Sequence, residues 1–182
     1  GTEIATPYGA RMVEDLTIGD HVVTQDNGVQ RIRWIGKTTV PATGNFAPIR
    51  FSQSTFPGAS GDLIVSPQHR MLFKGYQAEL LFGEHEVLIP AVHLLDGKSV
   101  KREELETVTY IHIMFEQHEI IFAQGVATES FHPGSFGVDC LAPKARDELF
   151  TLFPNLRSDI SSYGQSARTS LRAAEAKVLT QF

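Results

Sequence analysis

Ser66 and His69 stand in the run Ser66-Pro67-Gln68-His69, directly after the apolar stretch Leu63-Ile64-Val65. With two residues between them, a tight turn at a strand end can aim a hydroxyl and an imidazole at one point. The chemistry within reach is hydrogen bonding by Ser66 and proton transfer by His69, whose ordinary pKa lies near neutrality. No Gly-x-Ser-x-Gly turn surrounds Ser66, so a conventional hydrolase nucleophile is not expected there. His112 and His118 follow, in Tyr110-Ile111-His112-Ile113 and His118-Glu119-Ile120-Ile121. On an extended run Val108, Tyr110, His112 and Met114 share one face, and Thr109, Ile111, Ile113 and Phe115 the other. A histidine between Tyr110 and Met114 is either a polar helper of a reaction or a hydrogen-bonded, half-buried side chain. The chain has 7 histidines and 1 cysteine, and their spacings match no common zinc pattern, so neither metal nor cofactor is expected. Cys140 reads as a small buried apolar residue.

The elements that must position these groups are mostly strands. Val22-Val23-Thr24 runs into Asp26-Asn27-Gly28, a hairpin signal. In Gln30–Gly36, Ile32 and Trp34 share a face against Arg31 and Arg33. Further strands are expected at Ile49–Phe51, Leu63–Ser66, Met71–Phe73, Glu86–Pro90, Thr107–Phe115 and Glu119–Ala123. Turn residues separate them at short intervals, and no helix alternates with each strand, so the class is all-β. The pattern changes after about residue 137. Pro143 suits a helix start, with Leu149, Phe150, Leu152 and Phe153 apolar before Pro154. Ala167, Leu171, Ala174, Val178 and Phe182 then make one stripe of a second helix. The division expected is a β-domain over 1–136 and a helical extension over 137–182 packed on it.

The 182 residues carry 16 Lys+Arg and 21 Asp+Glu, a net charge of −5, which disfavours nucleic acid as a partner. Hydrophobic residues at 42% argue against wholesale disorder. No apolar run approaches the ~18 residues of a membrane span. Weak acidity and one cysteine suit either side of a membrane, an exported bacterial protein included.

Three stretches gain meaning together. Gly1-Thr2-Glu3-Ile4-Ala5-Thr6-Pro7-Tyr8-Gly9 continues to Val13-Glu14-Asp15-Leu16-Thr17-Ile18-Gly19-Asp20-His21-Val22-Val23-Thr24; Ser66-Pro67-Gln68-His69 comes second; Tyr110-Ile111-His112-Ile113 followed by His118-Glu119-Ile120-Ile121-Phe122-Ala123-Gln124-Gly125 closes the set. In this order and spacing they resemble the Hint superfamily, the self-processing fold of inteins and of the hedgehog autoprocessing domain, and most of all its bacterial hedgehog/intein group. The resemblance covers roughly residues 1–132 and implies a horseshoe-like, pseudo-twofold β-fold. It also implies a reaction. A Cys or Ser attacks the carbonyl just upstream of it, and the resulting (thio)ester is resolved by water or an external nucleophile. His69 would be the proton donor at the scissile nitrogen, Ser66 its hydrogen-bonding partner in a Thr-x-x-His motif with Ser for Thr, and His112 and His118 helpers. The substrate implied is the domain's own upstream polypeptide.

Two departures narrow the expectation. The family's nucleophile lies a few residues before the Gly-Thr pair, here Gly1-Thr2, so the residues from Gly1 onward are expected to be inert in the first step on their own. After Gly125 comes Val126-Ala127-Thr128-Glu129-Ser130, without the His-Asn pair with which inteins splice, so cleavage without splicing is expected. Asp62 is the nearest candidate for the hedgehog catalytic aspartate, and residues 133–182 carry no sterol motif. The alternative is a catalytically inactive β module of a larger exported protein.

Overall fold

Alternating apolar residues and closely spaced turns produce short antiparallel strands. The computed structural model describes residues 1–135 and 137–180, and for Ser135, Cys140 and Thr180 the backbone alone, so the expected burial of Cys140 falls outside the described side chains. In chain order the strands are β1 (Glu3–Thr6), β2 (Gly9–Met12), β3 (His21–Thr24), β4 (Gly28–Arg31), β5 (Trp34–Pro41), β6 (Ile49–Phe51) and β7 (Leu63–Val65). After these come β8 (Arg70–Lys74), β9 (Glu86–Pro90), β10 (Val100–Arg102), β11 (Thr107–Met114), β12 (Ile120–Ala123) and β13 (Val126–Glu129). The helices are α1 (Tyr76–Phe82), α2 (Gly137–Cys140), α3 (Pro143–Leu152) and α4 (Ala173–Thr180). The mainly β architecture is the one expected from the strand pattern.

One sheet runs β2-β1-β12-β13-β8-β9, with β3 also on β12 and β4 on β3. It brings the first strand of the chain against the closing hairpin, Ile4 opposite Ala123. That hairpin turns at Gln124 and Gly125, with φ of 50° and 75°, the left-handed pair that a two-residue turn between right-twisted strands demands. A separate ribbon pairs β5 with β11 over its whole length, from Thr107 opposite Pro41 to Met114 opposite Trp34. β10, β6 and β7 form a third, small sheet.

The β5–β11 ribbon divides two cores. Ile113 and Phe115 face a cluster with Ile4, Val22, Ile49 and Met71. Trp34 and Met114 face a second cluster with Leu141, Leu149, Leu156 and Tyr163 of the C-terminal segment. Trp34 is fully buried, and its ring lies so close over Gly36 that a Cβ there would come within 2.2 Å of it.

Three sequence expectations require correction. Gln30–Gly36 is not one strand. Ile32 N–H still serves Asp20 O at 2.8 Å, but Arg33 N–H donates to Met114 O at 2.8 Å, so the backbone changes partners and Ile32 and Trp34 enter different cores. The last helix is shorter than its stripe suggested. Residues 169–171 run beside β9, with Leu88 N–H on Thr169 O and Leu171 N–H on Leu88 O, both 2.8 Å. Leu171 is buried beside β9, and the helix starts later and buries Ala176 and Leu179, leaving Ala174 and Val178 exposed; Phe182 lies outside the described residues. A helix at Tyr76–Phe82 and strands β2, β10 and β13 were not anticipated. Among the described residues no helix is long and apolar enough to cross a membrane.

Candidate active site

β7 ends at Val65, and the Ser66–His69 turn leads into β8. Backbone bonds on every side hold this turn. His69 N–H donates to Ser66 O at 3.1 Å, Ala91 N–H to His69 O at 2.9 Å, and Val92 N–H to Pro67 O at 2.9 Å. Ser66 and His69 both face a cavity of about 520 Å³, whose wall also includes Gly1, Thr2, His112 and Thr128. The rest of the wall is largely apolar, with Leu63, Val65, Ile113 and Ile121 among its residues. Gly1 and Thr2 reach it because β1 pairs with both β2 and β12.

His69 Nε2 is hydrogen-bonded to Thr128 Oγ1. The Thr128 hydroxyl has one hydrogen, which it donates to Arg70 O at 3.0 Å, so its oxygen accepts from His69 and Nε2 carries the ring proton. Nδ1 is then the lone-pair nitrogen. Burial pushes the His69 pKa below its ordinary value; the Glu129 charge acts against this shift and Arg70 with it. His69 therefore rests neutral, able to take a proton at Nδ1 and return it.

His112 sits on β11 opposite Gly36, its ring 5.1 Å from that of Phe131. Its partial exposure is to the cavity, and burial among protein atoms, with a smaller contribution from His69, lowers its pKa to about 4. His118 is placed differently. Its ring is fully buried and does not line the cavity. It lies beyond Glu129, with Nε2 3.2 Å from Glu129 Oε2 and 3.1 Å from Ser130 O. Ala167 N–H donates to Nδ1 at 2.9 Å, so the proton is on Nε2 and points toward Glu129 and Ser130. Asp62 lines the cavity but is engaged by the Arg50 guanidinium and by Gln53 N–H at 2.8 Å. Among the described residues no group of three or more His, Cys, Asp or Glu is placed to hold a metal ion.

Thr128, Glu129, Arg70 and His132 were not singled out from the sequence. The Glu129 carboxylate accepts Arg70 N–H and Nε, each at 2.7 Å. Burial alone would raise its pKa, but the His118 hydrogen bond and the Arg70 charge outweigh that and hold it far below the usual carboxylate range. His132 stands edge-on to His118 at 5.0 Å and bonds Gly164 O at 3.2 Å. The available signal was opposite charge, Arg70 and Glu129, at the ends of two short apolar strands. Only the β13–β8 pairing, Thr128 opposite Met71, tells that they meet.

The pairing of the first strand with the closing hairpin thus sets Gly1 and Thr2 on the same cavity wall as the histidine-bearing turn. The profile of the Hint domain family matches residues 1–135, and the chain belongs to that family. Among solved structures the chain is similar to the MchDnaB-1 intein, at 14% identity and a TM-score of 0.42 over 71% of this chain and 96% of that one. It is also similar to the Msm DnaB1 intein splicing domain bound with zinc, at 16% identity and a TM-score of 0.47 over 71% of this chain and 96% of that one. The gp41-1 intein matches at 12% identity and a TM-score of 0.42, over 70% of this chain and 92% of that one. A search of curated proteins returns no match.

Proposed function

We propose that this domain cleaves its own polypeptide upstream of Gly1 and does not splice. A Cys or Ser a few residues before Gly1 would reach the His69 cavity, since a few extended residues span about 10 Å. Its side chain gives its proton to His69 Nδ1 and attacks the preceding carbonyl carbon. The carbon–nitrogen bond breaks as the amide nitrogen takes the proton from His69, leaving an ester or thioester. Water, or another external nucleophile, then adds to that carbonyl. The carbon–oxygen or carbon–sulfur bond breaks, releasing the upstream chain and restoring the side chain. Ser66 is the hydrogen-bond donor at the strained peptide, and His112, neutral at ordinary pH, a further polar group on the wall. No asparagine follows Gly125 before Asn155, so the cyclisation that completes splicing has no residue to perform it.

The observation that carries this reading is the shared cavity of Gly1, Thr2, Ser66, His69 and His112. The test is the domain expressed with its natural upstream flank and followed by intact mass. The wild-type chain should yield two fragments, His69→Ala should stay whole, and Ser66→Ala should cut on the order of tenfold more slowly or worse. A flanked wild-type chain that stays intact, with or without added thiol, overturns the proposal.

A further inference from the structure

Arg70 directly follows His69, and adjacent residues of β13 hold both of its backbone polar groups. Its N–H donates to Glu129 Oε1 at 2.7 Å, and its C=O accepts the Thr128 hydroxyl at 3.0 Å. Glu129 Oε2 takes Arg70 Nε at 2.7 Å and Nη2 at 2.5 Å, with His118 Nε2 at 3.2 Å. His118 Nδ1 in turn receives Ala167 N–H at 2.9 Å and has Ser166 Oγ 3.2 Å away. Ser166 Oγ also lies 3.4 Å from Arg70 Nη1. The side chains of His118, Arg70 and Glu129 are 0%, 5% and 8% exposed, so the centre of the network is shielded from solvent, while Ser166 and Ala167 at its far end are half-buried. It runs without a break from the residue behind His69 to the loop before the last helix.

We infer that, in the cleavage proposed above, Glu129 is a positioning residue for His69, and that Ser166 and Ala167 of the C-terminal segment complete its support. Both Glu129 oxygens are occupied by donors, so the carboxylate moves no proton itself; it acts through the Arg70 backbone. Holding Arg70 N–H fixes that residue's backbone and with it where Arg70 O meets Thr128, and Thr128 sets the tautomer of His69. A charge with donors on both oxygens in a water-excluded site has one orientation, which a neutral amide does not reproduce. A displacement of about 1 Å at a reacting group costs on the order of a hundredfold in rate. The family match ends at residue 135, yet the support for His69 extends beyond it.

The test uses Glu129→Gln with two readouts. Nitrogen-15 NMR of the histidine rings, with His69 assigned by its loss in His69→Ala, should find the wild-type ring protonated at Nε2. In Glu129→Gln the two tautomers should mix. In the flanked chain, single-turnover cleavage by Glu129→Gln should be at least tenfold slower while circular dichroism stays native. A folded Glu129→Gln that keeps both the wild-type rate and the His69 tautomer overturns the inference. If the flanked wild type does not cut, the cleavage reading fails, and the tautomer readout still decides the positioning. If Glu129→Gln does not fold, Ser166→Ala, which leaves the Arg70–Glu129 pair in place, decides. A displaced His69 resonance and a several-fold slower cut support the inference, and no change in either overturns it.

Discussion

Two arginine networks tie the C-terminal segment to the β-body, and their surroundings are opposite. Arg168 spans Asp26 and Glu86 near the surface, with Nη1 and Nη2 at 3.0 and 2.7 Å from Asp26 and Nε at 2.9 Å from Glu86; its side chain is 23% exposed. Arg70 meets Glu129 in the interior, where their side chains are 5% and 8% exposed, and reaches half-buried Ser166. The chemistry is the same guanidinium on carboxylate. Near water the pair adds little net free energy, because solvent offers each charge nearly as much as the partner does. In the interior the attraction chiefly offsets desolvation, so the pair's value lies in geometry, and the loss of one member is costly. The exposed network latches the tail, whereas the buried one fixes the residue after His69.

The largest expected effect separates the two directly. Glu129→Ala leaves the Arg70 charge buried without its carboxylate and should cost about 3–5 kcal/mol in chemical denaturation. Acid comes next. His112 has a folded pKa of about 4 against an ordinary value near 6.5. The unfolded chain therefore binds its proton first, and stability falls as pH drops from about 6.5 toward 4, by up to about 3 kcal/mol for this group. His69 and His132 shift in the same direction and add to the same window. Glu129 shifts downward too, but as an acid: its stabilisation is complete above the ordinary carboxylate pKa and is lost as pH falls below it. Denaturation midpoints between pH 7 and 4 should thus fall first through the histidines. Midpoints that hold constant over that range contradict the buried-histidine assignment.

Shape gives the third effect. Gly36→Ala puts a methyl 2.2 Å from the ring of fully buried Trp34 and should cost about 1–3 kcal/mol, independent of salt. The smallest belongs to the exposed network. Arg168→Gln should change stability by no more than about 1 kcal/mol, less at high salt, and should leave the cleavage rate unchanged. If Arg168→Gln cost as much as Glu129→Ala, the contrast between the networks would be wrong.

Much of the β-domain was legible because apolar residues at two-residue spacing report strands that are buried on one side. The Ser66–His69 turn was legible for the same reason, since it directly follows such a strand. Arg70 and Glu129 were not. A charge on a short apolar strand reads as solvated until the sheet order brings its opposite alongside, and residues 70 and 129 meet only through the β13–β8 pairing. His118 was read as a helper of the reaction, and its sequence neighbours gave no sign that it would lie outside the cavity wall with Ala167 N–H fixing its tautomer from the far end of the chain. The last helix was mistimed because residues 169–171 spend their backbone bonds on β9, a tertiary partner that periodicity does not register.

The central claim is an ester formed beside His69 by a residue upstream of Gly1. Hydroxylamine added to the flanked domain tests it most directly, because it attacks an ester or thioester, and its slower cut at the Asn27–Gly28 bond gives fragments of a different mass. The account predicts that the released upstream fragment carries a hydroxamate at its C-terminus in the wild-type chain, and that neither fragment nor hydroxamate forms in His69→Ala. Release of the free acid alone at saturating hydroxylamine, or undiminished cutting by His69→Ala, would contradict it.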